Sequence, residues 1–246
     1  MLTHIIAHRG ASGYAPENTM AAFRLAEKMG ADGVETDVQL TKDGVPVLIH
    51  DENVRRTTNG TGFVQDYTFD ELRKLDTGSW FSSEFTGLQI PSLEELLQWI
   101  IDRPLFLHLE LKTDVIPYTH IEKKVYTLLR NYHMLERTCM SSFNENTLAV
   151  IKDLNPSVRT AFLTSTNMRK LIPFVSSIPA DDLHIKHTLL SRKLVQRGNK
   201  NRVEMRVYTV NKPALIRKCF QLSCAGIFTD VPDIALSIRK AQERST

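Results

Sequence analysis

Apolar and polar residues alternate along segment 33–51 as expected of a strand, a tight turn and a returning strand. Glu35 and Asp37 stand at alternate positions between apolar residues, so both carboxylates leave the strand on one face. Asp43-Gly44 favours a turn, since both residues tolerate the backbone angles that such turns need. A two-residue turn would place Asp37 opposite His50, and a four-residue turn would place Glu35 there. The alternative without a functional role is an edge hairpin whose charged side chains face solvent.

Short apolar runs alternate with helical periodicity along the rest of the chain. The returning strand must be antiparallel, which leaves eight runs that can be parallel strands. They begin near residues 4, 33, 105, 138, 159, 182, 204 and 226. Eight such strands alternating with helices predict an α/β fold, a TIM-type (β/α)8 barrel. An open doubly wound sheet is the alternative. It usually carries a Gly-rich phosphate loop, and residues 8–13 match neither of the common patterns.

The periodic pattern weakens between residues 52 and 91. This is more irregular chain than a connection between a strand and a helix needs. We interpret it as a small insertion after the second strand, folded over one end of a single barrel domain of residues 1–246. A loose loop is the competing interpretation. Trp80, Phe81 and Phe85 would form the insertion's own small core, or else an exposed apolar rim.

Length and composition exclude several classes of protein. The 246 residues suit one barrel of about 250. A net charge of +3 is too small to indicate a nucleic-acid partner. The three cysteines lack the spacing of a zinc site and predict reduced thiols of a cytoplasmic protein. Neither a signal peptide nor an apolar run long enough for a membrane anchor is evident. Oligomeric state is not indicated.

Chemistry-bearing residues collect where the predicted strands end, which is where barrel enzymes place their sites. Three carboxylates without zinc-type spacing suit a hard cation, Mg²⁺ or Ca²⁺. Two histidines suit general acid–base chemistry, and two cationic side chains suit an anionic oxygen. The combination indicates a site that cleaves phosphodiesters. The residues are His8, Arg9, Glu35, Asp37, His50, Glu110 and Lys112.

Each of these residues also has a bland interpretation. Strand carboxylates are often solvated, and lone histidines are more often structural than catalytic. We assign His108 to the barrel core or to the residues that support the site from beneath, since it shares a face with Glu110 two residues deeper. The remaining histidines have no supporting sequence context. They are His4 and four that are predicted to be exposed, namely His120, His133, His184 and His187.

The chain resembles the glycerophosphodiester phosphodiesterase family over nearly its whole length. The motifs, in the family's order, are HRG at 8–10, PENT at 16–19, GADGVETDV at 30–38, HD at 50–51, ELK at 110–112, SFN at 142–144 and TDVP at 229–232. The resemblance implies a TIM-type barrel with a small insertion after the second strand. It also implies hydrolysis of glycerophosphodiesters to glycerol 3-phosphate and an alcohol, assisted by one divalent cation.

The resemblance further implies a role for each matched residue. His8 and His50 would be the acid–base pair, and Glu35, Asp37 and Glu110 would hold the metal. Arg9 and Lys112 would hold the phosphate, Glu17 and Asn18 would line the mouth, and Phe143 would contact the glycerol. One departure concerns residues 208–211, where the family commonly has Trp-Thr-Val-Asn and this chain has Tyr-Thr-Val-Asn. Tyr208 would therefore change the apolar platform of the glycerol pocket.

Two questions stay open at the level of sequence. The attacking group is either water or the glycerol 2-hydroxyl, through a cyclic phosphate. The chain is either an enzyme or a catalytically idle barrel that binds phosphodiesters, and an enzyme of this chemistry could also act on larger lipid diesters.

Overall fold

Eight parallel strands close into a barrel in the computed structural model, which describes residues 2–243. Met1 and residues 244–246, which the expected domain includes, lie outside the described residues. The strands are β1 (His4–His8), β2 (Gly33–Leu40), β3 (Pro46–Leu48), β4 (Phe106–Leu111), β5 (Thr138–Ser142), β6 (Arg159–Thr164), β7 (Asp182–Lys186), β8 (Glu204–Tyr208) and β9 (Gly226–Thr229). All are parallel except β3, which pairs with β2 outside the barrel. Because β1 pairs with both β2 and β9, the sheet is closed. The predicted TIM-type barrel is confirmed, and the open sheet is excluded.

Helices cover the outside of the barrel, and several of them begin at residues whose side chains cap the helix. They are α1 (Met20–Met29), α2 (Phe69–Leu72), α3 (Leu93–Ile100), α4 (Ile121–Asn131), α5 (Glu145–Leu154), α6 (Leu171–Val175), α7 (Arg192–Lys200), α8 (Pro213–Gln221) and α9 (Pro232–Glu243). Ser92 caps α3, because its hydroxyl accepts from the Glu95 N–H while the Glu95 carboxylate accepts from the Ser92 N–H. Among the described residues, none of these helices is long and apolar enough to cross a membrane.

The β2–β3 hairpin has a register that differs from both expectations. Val38 lies opposite Leu48 and Gln39 opposite Val47, and the Ile49 N–H donates to the Asp37 carbonyl at 3.2 Å. Ile49 therefore faces Asp37, and the predictions that Asp37 or Glu35 lies opposite His50 are both wrong. The turn contains three residues rather than two or four.

A side-chain contact explains the three-residue turn. The Thr41 hydroxyl accepts from the Val45 N–H at 2.9 Å and donates to Asp43 Oδ1 at 2.6 Å. The same carboxylate oxygen accepts from the Phe69 N–H at 3.0 Å, so the turn is fastened to residues far along the chain. This contact lies outside what a local turn preference can predict.

Residues 52–91 contain α2 and several short 3₁₀ turns around a small apolar cluster of their own. Val54, Val64, Leu72 and Ile90 form it together with Val47 and Ile49 of the hairpin. The expected aromatic core is wrong. Trp80, Phe81 and Phe85 lie outside this cluster and contact one another edge to face, with ring centroids 5.6 and 5.7 Å apart.

Two histidines lie inside the barrel. His108 is 4 % exposed, as expected of a core residue, whereas His184 is 1 % exposed and not on the surface. Burial lowers the pKa of both imidazoles well below its ordinary value. The expectation of an exposed His184 is wrong because its side chain is on the face of β7 that turns into the barrel. The sequence of this strand does not indicate which of its faces turns inward.

Candidate active site

Three carboxylates meet at the carboxyl ends of two adjacent strands. Asp37 of β2 pairs in register with Glu110 of β4, and Glu35 lies two residues earlier on β2. One oxygen of each carboxylate lies within 4.8 Å of the others, and Glu35 and Asp37 are buried. Burial and the neighbouring Asp37 charge raise the pKa of Glu35 and of Glu110. Burial opposes ionisation of Asp37 too, but Arg9 and His50 outweigh it and lower the pKa of Asp37.

Cationic and amide groups hold these carboxylates in place. The backbone N–H of Arg9 donates to Glu35 Oε2 at 2.9 Å, and the side-chain Nε of Arg9 lies 3.3 Å from Asp37 Oδ2. Asn18 Nδ2 also donates to Asp37 Oδ2, at 2.9 Å, and Lys112 Nζ donates to Glu110 Oε1 at 2.8 Å. Asp37 Oδ1 is buried, and no described residue gives it a hydrogen bond. A buried, unpartnered carboxylate oxygen beside two further carboxylates is the kind of atom that a hard cation ligates.

His8 ends β1 and is anchored by a carboxylate from the far end of the chain. Its Nδ1 lies 2.7 Å from Asp230 Oδ1, and Asp230 also accepts from the Ser12 hydroxyl at 3.0 Å and from Asn211 Nδ2 at 2.5 Å. Burial alone would lower the pKa of His8. The hydrogen bond to Asp230 and the charge of Glu35 outweigh burial and raise that pKa.

His50 follows β3 and is anchored in the same manner. Its Nδ1 lies 2.6 Å from Asp51 Oδ1, and Arg56 Nε donates to Asp51 Oδ2 at 2.6 Å. The other Arg56 nitrogens bind both oxygens of Glu17, at 2.8 and 2.7 Å. Burial opposes the ionisation of Asp51, but the hydrogen bonds from Arg56 and His50 prevail and lower its pKa to about 2.

The backbone of His50 is fixed by Gln39, a buried residue of β2. Gln39 Nε2 donates to the His50 carbonyl at 2.8 Å and to the Ile49 carbonyl at 3.1 Å. The Tyr118 hydroxyl donates to Gln39 Oε1 at 2.7 Å. His50 thus reaches the site by leaving the ladder after β3, and side-chain bonds rather than strand register hold it there.

The loop after β1 adopts an unusual backbone conformation. Arg9 and Asn18 have φ values of 56° and 57°, in the left-handed region. Gly10 has φ 81°, and a Cβ there would lie 2.6 Å from Ala22, so only glycine fits. Non-glycine residues in this region persist where surrounding contacts hold them, and such residues cluster at functional sites.

A cavity of about 250 Å³ opens over these groups. Phe143 and Tyr208 both line it and pack edge to face, with ring centroids 6.4 Å apart. The Tyr208 hydroxyl is buried and has no hydrogen-bond partner within the described part of the chain, and burial raises its pKa. The cavity is lined by His8, Arg9, Glu35, His50, Glu110, Ser141, Phe143, Leu163, His184, Lys186, His187, Tyr208, Thr209 and Phe228.

Most of the site residues predicted from the sequence line this cavity or belong to the three carboxylates beside it. The others contact one of these residues without lining the cavity. Glu17 does not line the cavity and is bound instead by Arg9 and Arg56. Lys112 lies behind Glu110, with Nζ 3.5 Å from His50 Nε2.

Four residues that hold the two histidines are not among the site residues predicted from the sequence. They are Gln39, Asp51, Arg56 and Asp230. Asp51 and Asp230 belong to the quoted HD and TDVP motifs, so a signal for them was present. Arg56 and Gln39 had none.

The fold and site define a class, the TIM-barrel phosphodiesterases. The chain belongs to the glycerophosphoryl diester phosphodiesterase family, whose model matches residues 8–234. It is an enzyme of the hydrolase class. The chain is 40 % identical to a glycerophosphodiester phosphodiesterase of Bacillus altitudinis, covering 97 % of this chain and 99 % of the relative. It is 38 % identical to another from Caldanaerobacter subterraneus, over 97 % and 98 %.

Solved structures show the same fold. A phosphodiesterase of Oleispira antarctica, in complex with the product sn-glycerol-3-phosphate, superposes with a TM-score of 0.90 at 31 % identity. The similarity covers 97 % of each chain. A glycerophosphodiester phosphodiesterase of Agrobacterium tumefaciens gives a TM-score of 0.85 at 32 % identity, over 96 % of this chain and 100 % of the other.

Proposed function

We propose that this chain hydrolyses glycerophosphodiesters to glycerol 3-phosphate and an alcohol, using one divalent cation and the acid–base pair His8 and His50. The observation that carries the proposal is the matched anchoring of the two imidazoles. Each Nδ1 is bound to a carboxylate, and both rings line one cavity with Glu35 and Glu110. The relative whose structure contains sn-glycerol-3-phosphate supports a small-molecule substrate of this type.

Glu35, Asp37 and Glu110 fit a divalent ion, Mg²⁺ or Ca²⁺, because they offer only oxygen ligands and include an unpartnered buried oxygen. When bound, such an ion polarises a phosphoryl oxygen and neutralises charge on the phosphate. Asn18 and Arg9 hold Asp37, and Lys112 holds Glu110. The carboxylates are therefore oriented before any ligand arrives, which supports a resident cation in this family of metal-dependent enzymes.

The two histidines move the protons. For each histidine, the neighbouring carboxylate accepts a hydrogen bond from Nδ1–H, so the neutral imidazole keeps a lone pair on Nε2. One histidine takes the proton from the attacking oxygen as the new bond to phosphorus forms. The other gives a proton to the alkoxide that leaves when the bond to the alcohol breaks. The attacker is water, or the glycerol 2-hydroxyl followed by water; both routes give the same products.

The remaining residues bind the substrate and keep the pair in place. Arg9 lines the cavity and stabilises the charge that builds up on the phosphoryl oxygens, while Lys112 contributes its charge from behind Glu110. Phe143 and Tyr208 supply apolar surface for the glycerol carbons. Glu17 orients Arg9, and it also holds the Arg56 side chain that binds Asp51. We further propose that the whole chain is one barrel domain with residues 52–91 as an insertion.

Release of glycerol 3-phosphate from glycerophosphocholine tests the proposal. We expect release to stop when EDTA removes the cation and to resume when Mg²⁺ or Ca²⁺ is restored. A catalytically idle barrel would bind the diester and release nothing under either condition. Activity that persists after complete chelation would contradict the proposed cation. Accumulation of a cyclic glycerophosphate during turnover would identify the 2-hydroxyl as the attacker.

A further inference from the structure

Three side chains with nitrogen and sulfur ligand atoms converge inside the barrel, beneath the active-site carboxylates. They are His108 of β4, Cys139 of β5 and His184 of β7. One ligand atom of each lies within 4.8 Å of the others. All three residues are buried, with exposed fractions of 4 %, 4 % and 1 %. His108 precedes Glu110 by two residues on β4 and lies in register with Glu35, so it is deeper in the barrel than Asp37 and Glu110 and level with Glu35.

The two imidazoles lack the hydrogen bonds that buried polar groups ordinarily make. His108 Nδ1 and His184 Nε2 are both buried without a partner among the described residues. Phe228 packs against both rings, with centroid distances of 5.3 and 4.9 Å, and offers no polar atom. Such unpaired atoms are rare in folded proteins, and a bound ion is among the recognised reasons for them.

The donor atoms select a particular class of cation. We propose that His108, Cys139 and His184 form a second metal site that binds a thiophilic transition-metal ion of the Zn²⁺ type. Imidazole nitrogen and thiolate sulfur are the ligands of Zn²⁺, whereas Mg²⁺ and Ca²⁺ take oxygen. Three protein ligands leave one position for a further ligand, as in zinc sites that are not purely structural.

The protonation states are compatible with binding. Burial keeps His184 neutral, with a lone pair available. Burial also raises the pKa of the Cys139 thiol to about 12. The metal must therefore displace the thiol proton, and metal uptake releases that proton to solvent.

The positive charges nearest the cluster are paired with carboxylates. Arg159 lies on β6 and Arg206 on β8, on either side of β7. Asp182 binds each of them at 2.7 Å, and Glu204 binds them at 2.5 and 3.2 Å. Their positive charge is thus compensated within the protein, which leaves the thiolate to balance the ion.

A second cavity provides a route to the site. About 330 Å³ in volume, it is lined by His108 and Cys139 together with residues that start the strands, among them His4 and Phe106. It therefore opens at the amino-terminal end of the barrel, opposite the active site. An ion that enters from that end meets His108 and Cys139, whereas His184 lines the active-site cavity.

Cobalt substitution tests the site by spectroscopy. Protein stripped of metal is titrated with Co²⁺ in excess Mg²⁺, which occupies the oxygen ligands. We expect a thiolate-to-cobalt charge-transfer absorption that saturates at one equivalent and disappears on addition of Zn²⁺. Cys139→Ser should abolish the absorption, whereas Cys224→Ser, which alters another buried cysteine, should retain it. An absent band in the wild-type protein, or one that survives in Cys139→Ser, would overturn the proposal.

Thermal unfolding gives an independent readout. At a free Zn²⁺ concentration of 100 times Kd, we expect the wild-type Tm to rise by about 5–10 °C. His184→Asn and Cys139→Ser should lose this shift, and Cys224→Ser should keep it. Equal shifts in all four proteins would place Zn²⁺ elsewhere and refute the site. Because an absent band in the wild-type protein overturns the proposal, and loss of the Zn²⁺ shift is tested in two different variants, the test does not depend on the folding of any one variant.

Discussion

The hydrogen bond between His8 and Asp230 allows the sharpest test of the proposed mechanism. The Nδ1···Oδ1 distance is 2.7 Å, and the side chains are 17 % and 29 % exposed. Asp230→Asn keeps the shape of the side chain but removes its charge. A hydrogen bond to a charged group contributes about 1.5–3 kcal/mol. If that whole contribution stabilises the protonated ring in the transition state, turnover falls by about 10- to 150-fold.

The neighbours of Asp230 restrict how an asparagine can sit. Asn211 Nδ2 donates to Asp230 Oδ2, and the Ser12 hydroxyl donates to Oδ1. Asn211 Oδ1 already accepts from the Asp230 N–H at 2.9 Å, which fixes the orientation of the Asn211 amide. An amide at position 230 must therefore direct its NH₂ group either at Asn211 or at His8. The first arrangement opposes two donors, and the second removes the acceptor for His8 Nδ1.

The assay measures kcat and KM for glycerophosphocholine. We expect Asp230→Asn to lower kcat with little change in KM, because the carboxylate acts on the histidine and not on the substrate. The matched control is Asp233→Asn, which changes an exposed carboxylate bound only to the Tyr14 hydroxyl among the hydrogen bonds described. It should leave kcat within twofold.

A double-mutant cycle separates a role through His8 from a structural role. In a His8→Ala background, Asp230→Asn should cost nothing further in kcat, since the imidazole it orients is gone. If the two losses multiply instead, Asp230 does not act through His8 and the reasoning is wrong. Unchanged kcat in the single variant would refute it as well.

Four further substitutions test other parts of the site. His8→Ala and His50→Ala should each lower turnover by about 10²–10⁴-fold while thermal stabilisation by Mg²⁺ or Ca²⁺ survives; hydrolysis near the wild-type rate would reject the pair. Glu35→Gln should keep the Tm of the cation-free protein, because the raised pKa already favours the neutral form, but should reduce stabilisation by the cation. Tyr208→Phe should raise the free energy of unfolding in urea by about 1 kcal/mol, because it removes an unpartnered hydroxyl; a lower stability would show that this hydroxyl has a partner.

The barrel could be predicted from sequence because its signals are local. Each parallel strand is a short apolar run, and the helices begin at residues such as Ser92, whose capping partner stands three positions later. The hairpin register could not be predicted in this way. It depends on Asp43, which binds both Thr41 and the distant Phe69 N–H, and a shift of one residue changes every pairing.

The candidate site likewise has features that local sequence predicts and features that depend on distant contacts. The positions of Glu35, Asp37 and Glu110 follow from strand alternation together with the rule that barrel strands end at one face. The anchoring of the histidines does not. Asp230 is 222 residues from His8 in the chain, and Arg56 reaches Glu17 across 39 residues. The contact between Asp230 and His8 exists only once the barrel has closed and brought its first and last strands together, and the contact between Arg56 and Glu17 exists only once the loops after β1 and β3 meet.

Strand β4 carries side chains of two proposed metal sites whose ligand atoms differ. Glu110 faces the active-site layer, where the cluster offers only oxygen ligands, and His108 faces the layer below, where it offers nitrogen and sulfur. Hard ions hold poorly to thiolate and imidazole, and Zn²⁺ is bound best by the lower set. Because donor type changes over two residues, the proposed zinc site need not compete for the ion used in hydrolysis. Selectivity would then come from ligand chemistry, while the distance between the layers is set by the pleat of a single strand.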